Sequence, residues 1–154
     1  MIRQASSADV PELVRMGCEF VSKSTYRMVM FSDPEKVALL MTSLIENDEG
    51  LLLVSETEDV KNPRRLLGML GMMVYRHPIS HERIANEVFW WVNPSDRGRS
   101  DSVRLLRQGE QWAKEQMASF VYAGAPNQKV GAVFQRLGYM PIEMQYVKPV
   151  GLES

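Results

Sequence analysis

Along this chain the apolar positions switch between a period of two and a period near 3.6, and each switch predicts an element. Residues 1–5 predict a short strand. Val10, Leu13, Val14, Gly17, Cys18 and Val21 then share one face of a helix after Ser6-Ser7, with Pro11 in its first turn. Ser32-Asp33-Pro34-Glu35 has the form of a capping box, which opens a second helix through Val37, Leu40, Met41 and Leu44; residues 46–50 end it. Residues 51–56 predict a strand, 57–64 a charged loop, and 65–75 a Leu- and Met-rich strand that forms a hairpin with the first. Gly68 and Gly71 inside that strand mark a bulge or a close backbone approach. Residues 77–84 form the loop before the next strand.

The centre of the chain is the run Val88-Phe89-Trp90-Trp91-Val92, whose composition predicts a strand covered on both faces. Pro94 ends it, Ser95, Asp96 and Gly98 are turn formers, and Ser100 is placed to cap a helix carrying Val103, Leu106, Trp112 and Ala113. Residues 119–123 predict a fifth strand, broken by Gly124-Ala125-Pro126. Asn127 is placed to cap a further helix with Val130, Val133, Phe134 and Leu137 on its apolar face, and Gly138 stops it. The alternation over residues 139–149 predicts a last strand with Pro141 near its start, and 151–154 a frayed tail.

The strand-turn-helix junction at 88–107 is where chemistry is expected. A helix N-terminus presents free N–H groups, here from about residue 99 to 103, at the positive end of the helix dipole. Arg97 and Arg99 add charge, and Gly98 lets a second molecule approach the backbone, so a phosphate or pyrophosphate is the natural ligand.

With 154 residues and 45% hydrophobic content, residues 1–150 are expected to form one domain with a sizeable core. The net charge of −1, with scattered Lys and Arg, argues against a nucleic-acid partner. No apolar run suits a membrane span or a signal peptide, so a cytoplasmic protein is expected. The single Cys18 rules out an internal disulfide and a cysteine metal cluster; it reads as a small buried hydrophobe. His77 and His81, without a second ligand pattern, read as exposed loop residues, and no metal site is expected.

The segment Val92-x-Pro94-x-x-Arg97-Gly98-Arg99 resembles the fourth strand and pyrophosphate loop of the GNAT family of acetyl-CoA-dependent N-acetyltransferases, whose loop runs [Gln/Arg]-x-x-Gly-x-[Gly/Ala]. Here it reads Arg97-Gly98-Arg99-Ser100-Asp101-Ser102. Arg97 holds the first position, Ser100 and Ser102 replace the two small residues, and Asp101 brings a carboxylate toward the proposed anion. Asn127 followed by Val130, Phe134 and Leu137-Gly138-Tyr139 is similar to the family's second signature. The resemblance implies an α/β fold, with a mixed, mainly antiparallel sheet of about six strands flanked by about four helices. It implies acetyl-CoA as co-substrate, an amine acceptor that is a small molecule or a protein amine, and a fold compatible with a homodimer.

By the same resemblance Val92 offers backbone contacts to the pantetheine arm, residues 97–102 hold the pyrophosphate, and Asn127 and Phe134 lie along the cofactor. Phe134 stands where many members have a tyrosine that protonates the departing thiolate; Tyr122 and Tyr139 are the candidate substitutes. Glu87, the carboxylate at the head of the central strand, is the candidate base. The competing reading is a GNAT-fold binding or structural protein without catalysis, favoured by Ser100, Asp101, Ser102 and Phe134.

Overall fold

A computed structural model describes residues 1–59, 61 and 65–151. Part of the expected charged loop (60 and 62–64) and the last three tail residues lie outside the described residues. The elements run β1 (Ile2–Gln4), α1 (Val10–Ser22), α2 (Pro34–Glu46), β2 (Gly50–Glu56), β3 (Leu66–Arg76), β4 (Arg83–Val92), α3 (Asp101–Glu115), β5 (Phe120–Tyr122) and α4 (Gln128–Arg136). Short 3-10 turns occupy Ser7–Asp9, Thr25–Met28 and Pro94–Asp96.

The five strands form one sheet in sequence order, antiparallel from β1 to β4 and parallel between β4 and β5. The expected β2–β3 hairpin is present. The expected last strand is not: residues 139–149 belong to no strand, so the described sheet has five strands and not six. The segment makes no ladder with the outer edge of β5, and Met140, Ile142, Met144 and Tyr146 stay exposed.

Period-two alternation in β2 and β3 sorts the core into two layers. Leu52, Val54 and Met69 face α1 and α2, where Leu13, Met16, Met41 and Leu44 close over them with Phe89 and Trp91. Leu51, Leu53, Leu70, Met72 and Val74 face α3, through Leu105 and Ala113. Being covered on both sides is why β2 and β3 read as unbroken apolar runs.

Two caps differ from expectation. Asp33, not Ser32, caps α2, accepting the Glu35 N–H at 3.0 Å. Ser100 occupies the cap position of α3 in helical geometry, and its hydroxyl bonds no helix N–H. Asn127 caps α4 as expected, its Oδ1 accepting the Val130 N–H at 2.9 Å.

The feature that shapes the site is a change of step in β4. Met72 pairs with Glu87 and Gly71 with Phe89, so Val88 is an extra residue, a bulge that bends and twists the strand. Gly71 exists for Phe89, since a Cβ there would lie 2.6 Å from the ring. β5 pairs with β4 only at Ile84, Ala85 and Asn86. From Glu87 onward the two strands diverge, and the β5-facing side of β4 opens.

Candidate active site

The loop after β4 is fixed at both ends. Asn93 donates its backbone N–H to the Leu67 carbonyl and its side-chain amide to the Leu66 carbonyl, each at 2.9 Å. Its Oδ1 accepts from Arg15 at 3.3 Å. Asp96, only 3% exposed, takes a two-pronged ion pair from Arg65 at 3.0 and 2.5 Å. These anchors make the 3-10 turn a rigid ramp into α3.

Beyond it, Gly98 has φ 91°, a left-handed conformation that an L side chain adopts only with strain, and a Cβ there would meet nothing within 4 Å. The backbone at 98–100 is therefore approachable from outside. The Arg104 N–H bonds back to Ser100 O at 3.0 Å, so the N–H groups of Asp101, Ser102 and Val103 have no partner within the helix. Unused caps and open backbone make a helix N-terminus suited to an anion.

The side chains around it divide their roles. The Asp101 carboxylate accepts from the buried Ser55 hydroxyl at 3.0 Å, which ties it to β2. Arg97 folds back onto β4: its Nε donates to the Val92 carbonyl at 3.1 Å, and its guanidinium lies 4.6 Å above the Trp91 ring. Arg99 is exposed at the turn, and Ser102 lends its carbonyl to the Trp90 indole N–H at 3.0 Å. Because Asn93 points its N–H toward β3, the N–H and C=O of Val92 face the open side of β4 by the alternation of an antiparallel ladder.

Where β4 and β5 part, Phe20, Tyr26, Glu87, Val88, Trp90, Gly124, Pro126 and Val130 enclose a narrow cleft of about 50 Å³. Glu87 reaches across it to accept the Gly124 N–H at 3.4 Å. Burial pushes its carboxyl up to about 7, against the opposing effect of that hydrogen bond. A carboxyl poised at neutral pH in an aromatic cleft is able to take a proton during a reaction.

Three aromatic rings back the cleft in sequence. Trp90 packs on Phe134 at 5.3 Å, and Phe134 on Tyr139 at 5.1 Å. Phe134 is buried between them. The Tyr139 hydroxyl donates to Glu110 at 2.8 Å, and burial, then the Glu110 carboxylate, raises its pKa, so the phenol stays protonated. Tyr122 lies on β5 opposite Asn86, half-buried, and does not line the cleft. Asn127 spends its side-chain oxygen on the α4 cap beside Pro126.

Several contributors escape a reading of the sequence. Phe20 and Tyr26 enter the cleft from α1 and the turn after it, and stack at 5.6 Å. Arg65, Ser55 and Glu110 act through partners distant in sequence. Only Tyr26, an aromatic set between Thr25 and Arg27, carried a local signal.

A strand whose neighbour splays away beside a helix N-terminus is a distinctive arrangement, and the family comparison agrees with it. Residues 18–139 match the model of the acetyltransferase (GNAT) family. The chain belongs to the GNAT acetyltransferase family. Solved structures share the GNAT fold along nearly the whole chain. One described as a probable acetyltransferase is 18% identical, covers 99% of each chain and superposes with a TM-score of 0.75. A putative acetyl transferase from Pyrococcus furiosus is 24% identical over 97% of this chain and 99% of its own, with a TM-score of 0.74. The aminoglycoside antibiotic 6'-N-acetyltransferase AAC(6')-IG from Acinetobacter haemolyticus is 16% identical, covers 99% of each chain and has a TM-score of 0.74. No protein of curated function matches the sequence. Among the described residues of this GNAT chain, no helix is long and apolar enough to cross a membrane, and no cluster of three or more His, Cys, Asp or Glu could hold a metal ion.

Proposed function

We propose that the chain transfers an acetyl group from acetyl-CoA directly to a primary amine, with Glu87 as the base. The observation that carries this reading is the Glu87 carboxyl, raised to about 7 inside the cleft where β4 and β5 separate. The residues fit the co-substrate. The unpartnered N–H groups at 101–103 and the open backbone at Gly98 suit its pyrophosphate, with Arg99 adding charge. The open side of β4, to which Val92 presents its N–H while Arg97 takes its carbonyl, suits the amide groups of a pantetheine arm laid alongside as an added strand.

In the reaction the neutral amine nitrogen attacks the thioester carbon, the C–N bond forms, and the carbonyl electrons move onto oxygen. A backbone N–H of β4 beside the Val88 bulge stabilises that charge. The C–S bond then breaks, CoA leaves as thiolate, and the proton lost by nitrogen passes to Glu87. Most of the acceleration comes from holding the two reactants together. Phe134 carries no proton, and the Tyr139 hydroxyl is committed to Glu110, so solvent protonates the thiolate in this scheme.

The empty acid position also favours a second reading, a GNAT-fold protein that binds CoA without turnover. Titration with acetyl-CoA, followed by a thiol-release assay over a panel of amines, tests both. Binding with thiol release supports the first reading. Binding without release supports the second, and the absence of binding at millimolar acetyl-CoA refutes both.

A further inference from the structure

We infer that the acceptor is a small monoamine carried on an aromatic or aliphatic body, with its nitrogen at Glu87 and its body against Phe20 and Tyr26. The inference rests on the acetyl-transfer reading in one respect, that the reacting nitrogen meets Glu87. It adds the chemical character of everything attached to that nitrogen.

The base fixes where the acceptor sits. To hand over its proton, the nitrogen has to come within hydrogen-bond reach of the Glu87 carboxylate, so the carbons next to it enter the cleft as well. The walls those carbons meet are Phe20, Tyr26, Val88, Trp90 and Val130. Glu87 is the one charged side chain in the lining, and the polar atoms around it are largely spent. The Gly124 N–H goes to Glu87 and the Trp90 indole N–H to the Ser102 carbonyl, which leaves the Tyr26 hydroxyl. Glu19 and Glu110 belong to helices beside the cleft but do not line it: Glu19 is held by Arg15 and Lys23, and Glu110 accepts the Tyr139 hydroxyl. Apolar walls around a single polar anchor select a ligand with one polar end.

The chain past Tyr26 carries the same character outward. The Val29 and Met30 N–H groups both fold back onto the Tyr26 carbonyl at 3.0 Å, which gathers residues 28–31 at the Tyr26 side of the cleft. Met28, Val29, Met30 and Phe31 are all exposed, Phe31 wholly so. Four consecutive apolar residues left in water beside an aromatic cleft mark a binding surface. A second ammonium on the acceptor would lose water against these walls with no counter-charge in return, and a ring face attracts a cation too weakly to replace it. A sugar or peptide amine meets the same difficulty, because the walls cannot return the hydrogen bonds of its hydroxyl or amide groups. Apolar surroundings also favour the neutral amine, the form that attacks.

The matched pair pentylamine and 1,4-diaminobutane tests this, since the two differ only in a terminal methyl against a terminal ammonium; 2-phenylethylamine supplies the aromatic body. Calorimetry of each amine with the full chain saturated in CoA reads binding, and thiol release from acetyl-CoA reads turnover. Pentylamine is expected to exceed 1,4-diaminobutane by ~100-fold in affinity and in kcat/KM, with 2-phenylethylamine at least its equal. Tyr26→Asp, which puts a second carboxylate on the wall, is expected to narrow that ratio ~10-fold further than Tyr26→Asn, which only removes the ring. An unchanged ratio in a Tyr26→Asp protein that keeps its far-UV spectrum overturns the placement of the body against Tyr26. A diamine that matches pentylamine in the wild type, which needs no variant to fold, overturns the acceptor class and leaves acetyl transfer standing. Selective binding of the monoamines without thiol release supports the acceptor class and overturns the transfer, and no binding of any amine overturns the inference.

Discussion

Replacing Glu87 by Gln separates the catalytic claim from any claim about packing, because the two effects have opposite signs. The Glu87 carboxyl is raised from 4.5 to about 7 by burial. At pH 8 it is charged in the folded protein, and the rise from 4.5 to about 7 makes that ionisation oppose folding by about 3.4 kcal/mol. The sign follows from proton counting. Between pH 4.5 and 7 the folded chain keeps the Glu87 proton while the unfolded chain loses it, so stability falls as pH rises through this window and levels off above it. Glutamine is neutral and retains an oxygen for the Gly124 N–H. Glu87→Gln should therefore match the wild type near pH 4 and exceed it at pH 8 by up to about 3 kcal/mol, a rise of several degrees in melting temperature. Turnover should move the other way, falling about 10²–10⁴-fold with acetyl-CoA binding kept. In the wild type, kcat/KM should climb with pH through about 7 as the base is freed. Thermal melts from pH 4 to 8 and thiol-release kinetics read both quantities. A variant no more stable at pH 8 than at pH 4, relative to wild type, would refute the burial argument, and undiminished turnover would refute the assignment of the base.

The loop and the helices yield further expectations. Asp96→Ala removes the buried carboxylate but leaves Arg65, 42% exposed, to water, so it should cost about 1–2 kcal/mol in urea unfolding and raise KM for acetyl-CoA through the loosened turn. Gly98→Ala meets no neighbouring atom, so its cost is the strain of φ 91° alone, about 1 kcal/mol, with weaker acetyl-CoA binding by calorimetry. Asn127→Ala loses the α4 cap and should lower stability by about 1 kcal/mol in the same unfolding assay, without changing the pH at which kcat/KM rises.

The helices were legible because each buries a face of fixed period, and β2 and β3 because burial on both faces leaves an apolar run; both signals are written locally. Leu13, Met41 and Leu44 announce themselves by spacing. β4 was legible only in its apolar half, since Arg83, Asn86 and Glu87 interrupt the run where the strand borders the cleft. The strand pattern of 139–149 was visible, but a pattern names a face and not the molecule that covers it. Within the site, Arg97, Gly98 and Glu87 were found from the turn and the strand end. What Arg97 does was not, because the Val92 carbonyl and the Trp91 ring that draw it back are defined by the folded loop. The Asp101 carboxylate looked misplaced beside an anion until Ser55, buried on a distant strand, was seen to hold it.

The extra residue Val88 also makes β4 sensitive to length and not only to composition. It puts Ala85 in the layer under α3 and Phe89 in the layer under α1 and α2, although four residues apart along an unbroken ladder would share a side. Most point substitutions in this stretch exchange one side chain for another at a fixed address. Losing or gaining a single codon before residue 89 would instead reassign every address upstream to the hairpin, Glu87 included. Relatives that keep this site are thus expected to vary in the letters of β4 far more freely than in their number.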